Sequence, residues 1–559
     1  ITSNDINRIV NMLLKDTSIA YRISEKRIVL YLRKTNEEQK RSYSISGTIH
    51  DASGPIIGAS IVTKDGKGTI TSMDGDFRLD NIHIGDVLTV SYVGYQTQNI
   101  VFNGQSKLNI ALQEEATELD QVVVTALGIK RSEKALSYNV QQITSDEITA
   151  VKDPNFMNSL AGKVAGVTIN ASASGAGAAT RVVMRGVKAI TKSNNALYVI
   201  DGIPMFNIVN ESSDTGVLTD QPGTDAVADI NPEDIESINM LTGPAAAALY
   251  GNAAASGVVL INTKKGTEDK TSVNVSSSTT FSTPTLLPKL QSKYGNKDGQ
   301  FASWGDPVNS NYDPKNFFRT GVNTINSMSL STGTSKNQTY VSVSATNSTG
   351  IIPNNNYDRY NISGRNTANF LNDKLVLDFG ANLIFQKDKN MIGQGRYFNP
   401  LTSLYLFPRG GNFDAVRMYE TYNEGLDIYE QYWPYGTQSL ELQNPYWTIY
   451  RNIRENTKKR FMTNVSLKWK ITDGIDITGR LKYDKTDMRS TDKRYASTIE
   501  QFASSYGGYY DIRKEYSSFY GDVMLNIAKS FYDNQLSLSA NIGSSINDQR
   551  EEQIGHGGN

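Results

Sequence analysis

The stretch ESINMLTGPAAAALYGNAAASGVVLINTKKG, residues 236–266, decides how the rest of the chain is read. Ile238 and Met240 alternate with polar neighbours as in a strand. Gly243 and Pro244 suit the cap and first position of a helix, and Gly251 suits its left-handed close. After Gly257 the run Val258, Val259, Leu260, Ile261 is too apolar for an exposed strand. Lys264, Lys265 and Gly266 end it, and beyond them the sequence changes to long polar and apolar alternation. The small residues allow close backbone approach, so the stretch reads as a compact α/β unit joined to a β-rich region.

With 559 residues the chain predicts several domains, because one core rarely grows past about 250–300 residues. Its formal net charge of −1, without a basic stripe carrying interleaved aromatics, sets nucleic-acid binding aside. No run of about 18 apolar residues suggests a transmembrane helix, yet a membrane barrel needs only about 10 alternating residues per strand. The 30 tyrosines suit aromatic girdles and long loops. The absence of cysteine excludes disulfides and thiolate metal sites, which fits a periplasmic or surface protein. Nothing at Ile1 reads as a signal peptide, so a mature or further trimmed chain is expected.

In chain order, NDINRIVNMLLK (4–15) places Ile6, Ile9, Val10, Leu13 and Leu14 on one helical face, with Asn4 or Asp5 as cap. A hairpin of SIAYRIS and RIVLYLRK follows, turning at Glu25 and Lys26. NEEQKRS (36–42) is a charged linker. From Tyr43 to Gln113 alternation broken at Ser53-Gly54, Asp65-Gly66, Asp74-Gly75 and Gly85-Asp86 predicts a sandwich of about seven strands. Asp74 and Asp76 fit a hairpin turn better than a calcium loop, since the later ligands are missing. His50 and His83 lack ligand spacing. After the acidic linker EEATE comes LDQVVVTALGIKR (119–131), in which Val122–Val124 have high β-propensity between polar flanks. Such a segment either pairs with another protein's sheet edge or is a buried first strand.

The next strand is SYNVQQIT. Asp153 and Pro154 start a helix with Phe156, Met157 and Leu160 that ends at Gly162. VAGVTINA and TRVVMRGV read as strands joined by SASGAGA, whose glycines do not follow the dinucleotide fingerprint. Arg181 and Arg185, four apart on one strand face, are assigned to pairing with carboxylates rather than to substrate. A long polar loop covers 207–229.

Together with NALYVIDGIPMFN (195–207), the opening stretch resembles the plug domain of the SusC-like family of TonB-dependent outer-membrane transporters. The resemblance implies that the α/β unit sits inside a barrel. It also makes 119–126 the TonB box, so Leu119, Asp120, Gln121, Val122, Val123, Val124, Thr125 and Ala126 are expected to add as a strand to the TonB energy transducer. GIKRSEKAL, directly after, fits the same family pattern. Residues 43–113 resemble the carboxypeptidase-regulatory-like domain, which is not catalytic in this family. Residues 1–35 resemble the C-terminal half of a short signalling domain, implying an anti-sigma factor in the periplasm.

Past Gly266, candidate strands fall near 271–281, 325–334, 338–346, 358–370, 375–387, 459–470, 475–487, 515–528 and 535–546. Short turns at 334, 371, 471 and 532 alternate with long loops, the largest from Asp388 to about Lys458, as in an outer-membrane barrel. Tyr357, Tyr360, Phe370, Phe461, Trp469, Phe519 and Tyr520 are placed in the girdles. Barrels of this class have 22 strands, and an open half would leave unpaired edges in lipid. A longer protein, or closure by another chain, is therefore expected.

The expected fold is mainly β: a small β-sandwich domain, an α/β plug (130–265) and the N-terminal part of an antiparallel transmembrane β-barrel (266–559). The expected function is TonB-dependent import of an oligosaccharide or peptide across the outer membrane, with a SusD-like surface lipoprotein. Trp433, Tyr435, Tyr446 and Trp447 in the 401–450 loop are the substrate-contact candidates. A siderophore receptor is the alternative within transport, and a surface adhesin or binding scaffold the alternative outside it. No catalytic set, cofactor motif or metal spacing is found, so an enzyme is not expected.

Overall fold

A computed structural model describes residues 10, 14, 19–24, 27–32, 42–51, 54–92, 95–113, 122–124, 130–132, 140–188, 194–205, 223–242, 246–247, 250–297, 300–393, 395–436, 442–501, 503–531 and 536–558. Two compact units divide the chain, at 1–121 and 122–559.

In the first unit Ile19–Ser24 pairs antiparallel with Arg27–Leu32, Ser24 facing Arg27, which is the expected hairpin. The helix at 4–15 lies largely outside the described residues. Seven further strands form two sheets. Tyr43–His50 lies between Asp76–Ile82 and, in parallel, Lys107–Ala111. The other sheet runs Gly68–Ile70, Ser60–Thr63, Val87–Ser91, Gln98–Val101. Alternation sends Ile45, Ile49, Ile61, Phe77, Leu88, Val90 and Phe102 into one core, each contributing roughly 1.5–3 kcal/mol by burial. At Gly75 φ is +75°, and an added Cβ would meet the Ile49 carbonyl, so only glycine fits. The backbone N–H groups of Asp74 and Asp76 both donate to Ser72 Oγ, which makes this segment a hairpin turn.

In the second unit Val122–Val124 pairs antiparallel with Lys130–Ser132. A five-stranded mixed sheet follows, in the order Val140–Thr144, Ile235–Leu241, Val258–Thr263, Leu197–Ile200, Ile203–Pro204. Val258–Thr263 is central, antiparallel to one neighbour and parallel to the other. That position explains its apolar run: Val259 and Ile261 enter one core, Val258 and Leu260 another. Gly251 takes φ +72° and its N–H donates to the Ala247 carbonyl at 2.8 Å, closing the helical segment. Gly243 and Pro244 lie outside the described residues.

The helix expected from Asp153 is a 3-10 turn, Phe156–Leu160, capped by Asn155, whose Oδ1 accepts from Met157 N–H at 3.3 Å. Asp153 instead accepts from the Asn155 N–H and the Asn158 side chain. Arg181 and Arg185 do not share a strand face. The strand Arg181–Met184 ends before Arg185, which takes φ +56°, and both side chains are exposed without an ion pair among the described residues.

The remaining chain forms one nine-stranded antiparallel sheet with every strand beside its sequence neighbour. The strands are β1 (Ser272–Ser282), β2 (Gly321–Gly333), β3 (Asn337–Thr349), β4 (Asn356–Phe370), β5 (Leu375–Lys389), β6 (Asn452–Thr472), β7 (Ile475–Arg494), β8 (Gly508–Phe531) and β9 (Leu536–Gly558). One face carries exposed Val341, Val343, Ile362, Leu383, Leu467, Leu481 and Val523. Its aromatics include Tyr360, Phe370, Phe461, Trp469 and Phe519. Tyr357 and Tyr520 do not belong with them. Strand parity turns both to the other face, where they are buried and Tyr520 donates to Asp522 at 2.7 Å.

Candidate functional site

The inward face of the sheet is polar, and the α/β unit is fastened to it. On β6 the even positions Asn456, Lys458 and Arg460 point inward and are buried, whereas Thr457, Lys459 and Phe461 point out. Asp229, at the end of the 3-10 turn Val227–Asp229, meets them. Its Oδ1 bonds Lys458 Nζ, and its Oδ2 lies 2.7 Å from Arg460 Nη1. Arg460 also donates to the Ala226 carbonyl at 2.9 Å and forms a two-point pair with Asp484 on β7, at 2.9 and 2.7 Å. Its planar fork lets one guanidinium hold two carboxylates and a carbonyl.

Neighbouring contacts repeat the pattern. Arg359 on β4, fully buried, donates to the carbonyls of Pro154 (2.9 Å) and Ala228. Asn361 donates to the Asp229 carbonyl. Arg365 holds Asp378 of β5 at 2.9 Å and reaches Asp201 of the α/β unit at 3.1 Å. Arg480 pairs with Asp522 and donates to the Gly202 carbonyl at 3.2 Å. Tyr340 donates to Asp234 at 3.0 Å. Each bond is directional, so together they fix where the unit sits; buried ion pairs contribute more to orientation than to net stability.

Behind Asp229, Asp225 is fully enclosed. Its carboxylate accepts from Thr180 N–H (2.8 Å), Ala228 N–H (2.9 Å) and the Asn155 side chain (3.1 Å). Burial nevertheless pushes its pKa above the ordinary value. Burial also raises that of Asp234, against the lowering effect of hydroxyls from Ser342, Ser363 and Tyr340.

A second fastening joins the Gly-rich loop 171–178 to the sheet rim. The Ile392 N–H donates to the Ser174 carbonyl at 3.0 Å. Gly177, at φ +73°, lies so close to the Tyr357 ring that no Cβ fits, and Gly175 stands likewise against Asn355. Ala178, Tyr357 and Met391 pack together there.

The long β5–β6 connection builds its own core with the β1–β2 connection. Two short helices, Pro400–Leu406 and Pro445–Arg451, start at prolines capped by Asn399 and Asn444. Around them Tyr312, Phe407 and Phe413 lie with ring centres 5.1 Å apart. Of the expected contact residues, Tyr446 is buried in this cluster beside Phe317. Trp433 and Tyr435 pack on its flank, half-buried and 5.2 Å apart. Trp447 has no exposed surface, and its indole N–H donates to Thr498 Oγ1 at 3.1 Å. The structure therefore brings three of the four together but leaves Tyr446 and Trp447 no free ring face. Among the described residues, exposed aromatics of these loops include Trp304, Tyr422 and Tyr429, and Tyr506 is exposed on the β7–β8 connection.

Of the expected 119–126 strand, Val122–Val124 are described, in the short antiparallel pair; Leu119–Gln121, Thr125 and Ala126 lie outside the described residues. The sequence reading missed the fastening residues. The inward alternation Asn456, Lys458, Arg460 was their one visible signal; the partner Asp229 lies at the end of a loop with no pattern.

Residues 132–258 match the TonB-dependent Receptor Plug Domain family, and residues 45–124 match the CarboxypepD_reg-like domain family. The chain is 29% identical over 460 residues to the TonB-dependent receptor SusC of Bacteroides thetaiotaomicron, covering 79% of this chain and 42% of that protein. It is 30% identical over 391 residues to the TonB-dependent receptor P26 of Formosa agariphila, covering 66% and 37%. The chain thus spans about two fifths of the length of these curated relatives. The RagAB peptide importer in its closed-closed state shares the fold, with TM-score 0.58 at 18% identity over 76% of this chain and 49% of that one. A plug-family α/β unit fastened to the polar face of an antiparallel sheet, with these relatives, makes the chain similar to the SusC-like TonB-dependent receptors.

Proposed function

We propose that this chain is part of an outer-membrane importer that takes up an oligosaccharide or peptide by TonB-dependent displacement of its plug. One observation carries the reading: the plug is fastened by directional polar bonds to the inner face of a sheet whose outer face is apolar. Polar contacts of this kind can be exchanged for water when the plug moves, whereas the apolar outer face suits lipid. Members of this family transport and do not catalyse.

In this reading Leu119–Ala126 is the TonB box. The pairing of Val122–Val124 with Lys130–Ser132 supports it, because a two-stranded pair leaves a strand edge open for addition of a TonB strand. The domains before it face the periplasm, and the hairpin at 19–32 belongs to a signalling domain that contacts an anti-sigma factor. The loop core at 390–451 is the outer capture surface, where a SusD-like lipoprotein closes over the substrate. Trp433 and Tyr435 remain its ring-stacking candidates, joined by Trp304 and Tyr506. Similarity to SusC and to a peptide importer supports the substrate range.

The test is gentle detergent extraction of the native protein, with mass spectrometry of everything that accompanies it. A co-purifying lipoprotein and bound oligosaccharide or peptide are the expected result. Recovery in a soluble fraction without either would remove the import reading.

A further inference from the structure

One inward row of the sheet runs Tyr340, Arg365, Gly380, Asn464, Lys482, Tyr520, each directly opposite the next across five strand pairings. Gly380 interrupts it. The Asn464 side chain lies against this glycine, and beside them, near the ends of the plug strands at Ile200 and Thr263, a partly open cavity lies between plug and wall. Besides residues of this row, Asp201, Asp229, Asn231, Asp234, Asn361 and Asn382 line it. The cavity measures about 60 Å³, room for a few waters or a small ion.

The charged groups around this space are unequally satisfied. Asp201 is held by Arg365, Asp229 is shared by Lys458 and Arg460, and Asp234 accepts from Asn231 and Tyr340. Asp484, two residues along β7, is taken by Arg460 through both oxygens. Lys482 is 8% exposed, and its Nζ has no hydrogen-bond partner. Asp484 and Asp201 attract this ammonium at longer range and Arg460 repels it. Leaving a desolvated ammonium without a hydrogen-bond partner is costly.

We propose that Lys482 and the cavity beside Gly380 form a binding site for one small monovalent anion of the halide class. The ligand bonds Lys482 Nζ and neutralises a buried cation that no carboxylate among the described residues pairs directly, while Lys264, which also lines the space, adds to the positive potential. It sits between wall and plug, so its occupancy stabilises the seated plug. The proposal rests on the plug–wall geometry and is independent of which nutrient is carried.

The test uses the intact purified receptor in detergent. Crystals soaked in sodium bromide are expected to show an anomalous peak within hydrogen-bond distance of Lys482 Nζ. At constant ionic strength, thermal stability is expected to be higher in chloride or bromide than in gluconate. K482M abolishes that difference, whereas K493Q, at an exposed lysine, keeps it. If K482M fails to fold, the bromide peak in the natural protein decides alone. A site holding only water, with no anomalous peak and a halide effect identical in the natural protein and K482M, overturns the proposal.

Discussion

Asp229 Oδ2 and Arg460 Nη1 lie 2.7 Å apart with both side chains essentially without solvent exposure, one from the plug and one from the barrel wall. Removing the carboxylate takes from Lys458 its paired carboxylate and from Arg460 one of two, since Asp484 still holds the guanidinium. Breaking a buried pair from one side costs about 3–5 kcal/mol. D229N is therefore expected to speed amide exchange in the 226–230 turn by roughly two to four orders of magnitude, while strands β3–β5 are unchanged. Equal exchange in both proteins would show that the carbonyl contacts alone hold the plug.

Asp225 supplies a pH dependence. Burial raises the pKa of this plug carboxyl in the folded state above the unfolded value, so its contribution is fully present below the unfolded pKa and is lost as pH rises through the folded one. Acidification from neutral pH into that window is expected to increase local plug stability relative to D225N, which cannot titrate. Exchange rates at 178–184 and 225–230, followed against pH in both proteins, check the sign. A difference that runs the other way would mean that the three hydrogen bonds to Asp225 outweigh its desolvation.

The two kinds of loop tryptophan separate packing from capture. W447A empties a fully buried site and is expected to cost about 3–5 kcal/mol, seen as easier proteolysis within 390–451. W304A removes a ring that is 77% exposed and is expected to change stability by less than about 0.5 kcal/mol. Lower affinity for isolated substrate in W304A at unchanged stability would make Trp304 a contact residue; unchanged affinity would exclude it.

V123P tests the leading strand. Proline has no N–H and disfavours strand geometry, so TonB capture by strand addition is expected to weaken at least about tenfold in a pull-down with the TonB C-terminal domain. V123I is expected to bind as the natural protein does. The thermal midpoint of the barrel is expected to stay the same in both, because among the described residues Val122–Val124 pairs with Lys130–Ser132 and not with the nine-stranded sheet.

Much of the architecture was legible because it obeys short periods. All nine barrel strands were visible as alternation broken by turns, although the observed strands are longer, β8 running Gly508–Phe531. Past the girdle the same parity continues with polar residues on both faces, so hydropathy no longer marks the boundary. Tyr357 and Tyr520 show the related limit: an aromatic near a strand end belongs to a girdle only if its parity turns it outward. Trp447 failed for another reason. A long aromatic-rich loop was read as open surface, but a segment of that length can bury its own rings, and which rings go inside depends on packing partners such as Thr498, distant in sequence. The plug fastening was illegible because its acid, Asp229, sits where neither helix nor strand periodicity applies.

The bond from Ile392 N–H to the Ser174 carbonyl, with Gly177 against Tyr357, makes the outer loop and the plug parts of one load path. In the proposed import reading, a pull on the plug would strain this junction and so tug on the 390–451 loop. The reverse also holds, since energetic coupling between two sites is reciprocal. In that reading, a ligand that drew the 390–451 loop away from the rim would lower the force needed to unseat the plug, and an empty loop would act as a brake on futile pulling.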